Sequence, residues 1–179
     1  KGDPDAGVAA ANAAIAAGLD GIVGPYNSGV GLKTLPLYLQ AGLVPLRLTS
    51  SDATAGLGFT LQPMTSQIAP VATDALVMEL KASKVALIVD DTAAYTKSAA
   101  EAMTASLGAK GVTITGTQAI TPGAASYADA VSAALAAGPD AVYVITYFPE
   151  AGLIAQAMKA AGTSARCLAD YGAYDNGYI

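Results

Sequence analysis

The chain has 179 residues, 53% of them hydrophobic, a formal charge of -5 and no histidine. That composition excludes disorder, which needs low hydrophobicity with high net charge, and the scattered lysines and arginines leave no basic footprint for nucleic acid. The missing histidine removes Ser-His-Asp and Cys-His catalysis and imidazole metal ligation together, and no run of about 18 apolar residues suggests a membrane span.

In chain order, Asp3-Pro4-Asp5 reads as a helix start, with Asp3 as cap, Pro4 at the first helical position and Asp5 at the positive end. The helix runs to Ala17 and stops at Gly18. A strand at 21–24, a helix over 29–41 and a strand over 44–48 follow, then a Ser/Thr/Gly-rich loop and a short strand at 59–62. Beyond Pro63 the spacing predicts a helix over 66–81, a strand over 84–89 and a helix over 94–109. A strand over 112–119, a helix over 126–137, a strand over 140–145, a helix over 149–161 and a strand over 165–169 complete the series. The tail, 170–179, is polar and tyrosine-rich. Near-continuous apolar strands alternating with helices predict an α/β protein with parallel sheets covered on both faces.

Residues 11–42 and 131–162 align without a gap at a constant offset of 120. Ala16-Ala17-Gly18-Leu19-Asp20 matches Ala136-Ala137-Gly138-Pro139-Asp140, and Ala41-Gly42 matches Ala161-Gly162. Two similar α/β units suggest two Rossmann-like lobes, residues 1–61 and 62–179, with a crossing near Gln62-Pro63. Gly24-Pro25-Tyr26-Asn27-Ser28-Gly29 ends one strand and opens a helix. Free backbone N–H groups at such a helix start, with the Ser28 hydroxyl, make an anion site. The same serine also reads as a plain helix cap.

These motifs carry a resemblance. Asp3-Pro4, Gly24 to Gly29, Val44-Pro45, Asp90-Asp91 before Tyr95, and Tyr147-Phe148-Pro149-Glu150 fall in the order and spacing of the type I periplasmic binding proteins. More narrowly, the chain resembles the leucine/isoleucine/valine-binding branch of ABC-transporter solute receptors. The resemblance implies a fragment of two lobes closing on a hinge, and a membrane permease as partner. It also implies a periplasmic or extracellular location, with an export signal expected upstream of Lys1-Gly2-Asp3-Pro4, and neither enzyme activity nor a cofactor.

The resemblance further implies a ligand set. Ser28 takes a ligand carboxylate. Thr49 offers a backbone carbonyl to a ligand amine, and Ser51 a hydroxyl to the carboxylate. Leu48 stands where the family has proline, and Arg47 reads either as a buried ion-pair partner or as a cation in the cleft. Tyr95 and Tyr147 form a lid, with Thr96 where the family has glycine; the plain alternative makes both tyrosines caps over strand ends. After the last strand the family places a carboxylate for the ligand's ammonium. Alignment puts Tyr171 there and Asp170 one residue before it. An inward Asp170 suits an α-amino acid; an inward Tyr171 suits a non-amino, aromatic acid, because a buried unpaired ammonium costs several kcal/mol.

Other chemistries fit less well. The Gly24 to Gly31 stretch lacks the Gly-Lys-Ser/Thr ending of a phosphate loop. Asp90 and Asp91, adjacent on a strand, point to opposite faces, and one is expected to cap the following helix. Cys167 reads as a small buried hydrophobe; one cysteine allows no internal disulfide and leaves the redox compartment open. A ligand-sensing domain of a regulator on the same fold is the competing reading.

Overall fold

The computed structural model describes residues 2–175; the last part of the expected tyrosine-rich tail, 176–179, lies outside them. Helix α1 (Pro4–Ala16) starts at Asp3, whose carboxylate accepts from the Asp5 and Ala6 N–H groups. Helix α2 (Ser28–Gln40) packs on it, and strands β1 (Leu46–Arg47) and β2 (Phe59–Thr60) pair in parallel. Helix α3 (Thr65–Asp74) continues into a π turn over Ala75–Glu79, so the helix expected over 66–81 is wider-wound in its last turns.

The larger sheet contains β3 (Lys84–Asp90), β4 (Thr113–Ile120), β5 (Ala141–Ile145) and β6 (Arg166–Ala169). All its pairs are parallel, in the order β4-β3-β5-β6. The helices between them are α4 (Ala94–Ala109), α5 (Ala128–Leu135) and α6 (Phe148–Ala160). Because side chains alternate along a strand, Val85, Leu87 and Val89 of β3 pack with Tyr143 and Ile145 against Leu76, Met103 and Leu107 on one side. Ala86 and Ile88 pack with Val142 and Val144 against Val131, Ile154 and Met158 on the other. Strands buried on both faces explain the unbroken apolar runs. Cys167 is partly buried on β6, against the second of these clusters.

The offset of 120 survives in space, since Ser28 and Phe148 open α2 and α6, each of 13 residues. The smaller sheet differs from expectation. The stretch expected as a strand at 21–24 makes a single parallel bridge, Val23 to Leu46, held by Gly24 N–H to Leu46 O (2.8 Å) and Leu46 N–H to Ile22 O (2.9 Å). Among the described residues it has a ladder neighbour on one side only. Val23 and Phe59 are correspondingly 75% and 68% exposed.

Close approach of α2 to the loop after β1 requires a glycine. A Cβ at Gly31 would stand 2.6 Å from the Thr49 methyl, whereas one at Gly108 on α4 meets nothing within 4 Å. Alanine is the better helix former by roughly 0.5–1 kcal/mol, so Gly108→Ala should leave stability unchanged or raised. Gly31→Ala should lower it by about 1–3 kcal/mol through overpacking. Denaturant midpoints of the two variants of the intact protein check this.

Candidate functional site

Ligands of open α/β sheets bind beyond the carboxyl ends of the strands, and the two sheets turn those ends toward one narrow cavity. From the smaller sheet come Tyr26 and Ser28 on the turn into α2, and Leu48 and Ser50 after β1. Gln62 follows β2; its side-chain oxygen accepts from the Ser50 hydroxyl at 3.3 Å. From the larger sheet come Tyr95 in the first turn of α4, Tyr147 after β5, and Tyr171 and Gly172 after β6.

Ser28 is buried, and its oxygen accepts from the Ser51 N–H at 3.2 Å. That bond uses the acceptor side and leaves the hydroxyl proton to be donated into the cavity. Asn27 is the cap residue of α2 and makes no capping side-chain bond, so Ser28 is not a plain helix cap. The first N–H groups of α2 thus lack a side-chain acceptor at the positive end of the helix dipole.

The neighbouring loop is shifted by one residue from expectation. Leu48 and Ser50 face the cavity, while Thr49 and Ser51 are buried behind it. The Thr49 carbonyl, expected to face a ligand amine, accepts from the Arg47 guanidinium at 2.7 Å and from the Thr60 hydroxyl at 3.4 Å. The Ser51 hydroxyl accepts from Ala53 N–H at 3.4 Å, capping the short 3-10 turn Asp52–Thr54.

Arg47 departs from both readings of it. It is 3% exposed, does not line the cavity, and forms no ion pair among the described residues. Its Nη1 donates to the Thr49 and Thr54 hydroxyls (2.9 and 3.0 Å), its terminal nitrogens contact Met64 Sδ, and Nε has no partner. Burial of this charge pushes the guanidinium below its ordinary pKa.

The Asp90 and Asp91 expectation also changes. Asp90 is buried and accepts from the Thr92 N–H and hydroxyl at 2.8 and 2.6 Å, which caps the turn before α4 rather than the helix itself. The Thr96 hydroxyl donates back to the Asp90 carbonyl, so the threonine that replaces the family's glycine closes this turn.

Asp170 and Tyr171 take opposite directions. Asp170, 3% exposed, accepts from the Tyr95 hydroxyl at 2.6 Å, the Tyr143 hydroxyl at 2.7 Å and the Gly172 N–H at 3.2 Å. It does not line the cavity; Tyr171 does. The Tyr95 and Tyr147 rings lie 6.0 Å apart at 39°, a tilted pair. A Cβ at Gly172 would come within 2.9 Å of the Tyr95 ring, so only glycine lets that ring sit where it does.

Five cavity residues were not singled out as ligands from sequence: Tyr26, Leu48, Ser50, Gln62 and Gly172. Tyr143, which orients Asp170, was missed as well. A tyrosine in the middle of a buried aliphatic strand needs a partner for its hydroxyl, and that requirement was the available signal.

Burial, and then the Asp170 charge, push the Tyr95 and Tyr143 hydroxyls far above the ordinary tyrosine value. Burial pushes Tyr147 up to about 12, against a hydrogen bond with Asn27 that lowers it. All three hydroxyls are therefore held protonated by the fold. An unfolded tyrosine ionises near its model value of 10.0, so their contribution to stability is complete below that pH and lost as pH rises through the folded values. The unfolding free energy should fall from pH 10 to 12, and less steeply in Tyr147→Phe. A denaturant midpoint that stays flat across this window contradicts the burial of these hydroxyls.

Comparison with known proteins gives the family and the fold. The family model of the periplasmic binding proteins matches residues 1–177. The Leu/Ile/Val-binding protein BraC3 of Rhizobium johnstonii is 35% identical over 160 residues, 87% of this chain and 43% of that protein. Leu/Ile/Val-binding protein homolog 3 of Brucella melitensis is 31% identical over 182 residues, 99% of this chain and 49% of that protein. The chain thus spans about half the length of the curated relatives it matches. Among solved structures, the leucine-binding protein LivK of Thermotoga maritima superposes with a TM-score of 0.88 at 19% identity, over 96% of this chain and 50% of that one. A solute-binding protein of an ABC transporter from R. palustris, in complex with 4-hydroxybenzoate, gives 0.82 at 16%, over 100% of this chain and 49% of that one. The fold class read from the repeat is the one these structures share, and the chain belongs to the periplasmic binding protein family.

Proposed function

We propose that the protein is the solute-binding receptor of an ABC importer, working in the periplasm or outside the cell, and that it takes a small carboxylate between two lobes divided at residues 61 and 62. The observation that carries this reading is Ser28, a buried serine with its proton available at an N-terminus lacking a side-chain cap, in a cavity lined by no charged side chain among the described residues. A carboxylate entering there meets a hydroxyl donor and the positive end of α2.

The relatives named as Leu/Ile/Val-binding proteins support a receptor rather than an enzyme. Neighbours of the same fold hold isoleucine and 4-hydroxybenzoate, and a carboxylate is what those two ligands share.

In this mechanism the first lobe fixes the carboxylate at Ser28 while Tyr95, Tyr147 and Tyr171 close from the second. Beside the cavity, the Asp52 N–H donates to the Ser98 hydroxyl at 3.3 Å, and that hydroxyl bonds Thr65 Oγ1 at 2.8 Å. These contacts tie the loop after β1 to α3 and α4 and hold the closed form. The carboxylate is then passed to a membrane permease, the partner this reading requires.

Calorimetric titration of the intact protein with a panel of amino acids and simple carboxylic acids tests the reading. Saturable one-site binding without product is expected. A charge-assisted hydrogen bond contributes about 1.5–3 kcal/mol, so Ser28→Ala should weaken binding roughly 10- to 100-fold. Unchanged affinity in that variant would remove Ser28 from the site.

A further inference from the structure

Resting on the carboxylate reading above, we propose that the ligand is an aromatic monocarboxylate without an α-ammonium group, and that Tyr143 enforces this by holding Asp170 away from the cavity. An α-amino acid brings one cation with its carboxylate, and that cation needs a buried counter-charge. Asp170, the carboxylate next to the lining residues Tyr171 and Gly172 in the chain, does not line the cavity. One oxygen accepts from Tyr143 at 2.7 Å; the other accepts from Tyr95 at 2.6 Å and from the Gly172 N–H at 3.2 Å. A carboxylate has about four acceptor positions, and three of them are occupied at 3% exposure.

The second partner an ammonium could use is also withdrawn, because the Thr49 carbonyl accepts from Arg47 at 2.7 Å. What faces the cavity instead is aromatic: Tyr26, Tyr95, Tyr147 and Tyr171. Tyrosine faces offer flat apolar area and favour offset or tilted packing with another ring. Glu150 and Asp175 line the wider space, about 670 Å³, that adjoins the cavity through Tyr26, Tyr147 and Tyr171, and Glu150 already accepts from the Gly123 N–H at 3.2 Å.

The discriminating measurement is titration of the intact protein with two matched pairs, 3-phenylpropionate against phenylalanine and 4-methylpentanoate against leucine. Each pair differs only by the amino group. The expected result is that the acid binds at least tenfold tighter than its amino acid, with 3-phenylpropionate the tightest of the four. Leucine or phenylalanine binding as tightly as its acid, with Asp170 swung inward or with Glu150 or Asp175 as partner, overturns the proposal and leaves the carboxylate site standing. Tighter binding of 4-methylpentanoate than of 3-phenylpropionate overturns the aromatic preference. Binding of no member of either pair overturns the carboxylate reading and this proposal together. Tyr143→Phe frees one Asp170 oxygen without altering the cavity lining, so the acid-to-amino-acid affinity ratio should fall at least threefold in the folded variant. An unchanged ratio there contradicts the role given to Tyr143.

Discussion

The Asp170 carboxylate joins three elements that the backbone alone would leave independent. It stands at the end of β6, accepts from Tyr143 in the middle of β5, and accepts from Tyr95 in the first turn of α4. Each partner is buried, so each bond forms where water does not compete and where loss of one partner leaves a desolvated group behind. The consequence is geometric. With Asp170 fixed against β5 and away from the cavity, the next residue, Tyr171, faces the cavity, and Tyr95 is held by its hydroxyl so that its ring meets Tyr147. The aromatic wall of the cavity is thus a by-product of satisfying one buried carboxylate.

The opposite wall follows from a different constraint. Gly31 lets α2 settle against the loop after β1, and that closeness brings the Ser51 N–H to the Ser28 oxygen. Arg47 fastens the same loop from behind through Thr49 and Thr54. A guanidinium with no ion pair among the described residues is a costly fastener, but its charge stays out of the cavity. Among the described residues the cavity therefore keeps an uncharged lining, in which the proposed carboxylate would meet the α2 dipole and the Ser28 hydroxyl.

Much of the fold was legible because its signals are periodic. The unbroken apolar runs of β3 and β5 and the 120-residue offset both depend on burial on two faces, and burial is written directly in residue type. The strand expected at 21–24 was overestimated because its apolar residues promise a ladder, while the single neighbour at Leu46 allows only a bridge. In the cavity lining, Ser28, Tyr95 and Tyr147 were legible from their places after strands, and Tyr171 only as the alternative to Asp170. Thr49 and Ser51 were not, since a shift of one residue in an extended loop exchanges the facing side chains, and nothing local fixed that register. The turn of Asp170 away from the cavity depended on Tyr143, 27 residues away in the chain; no motif carries a partner at that distance.

The most direct test of the account is a crystal structure of the intact protein bound to the acid it holds most tightly. The account predicts a carboxylate oxygen within hydrogen-bond distance of Ser28 Oγ and the first N–H groups of α2, with Asp170 still held by Tyr95 and Tyr143. A carboxylate held elsewhere, or a ligand ammonium paired with Asp170, would contradict it.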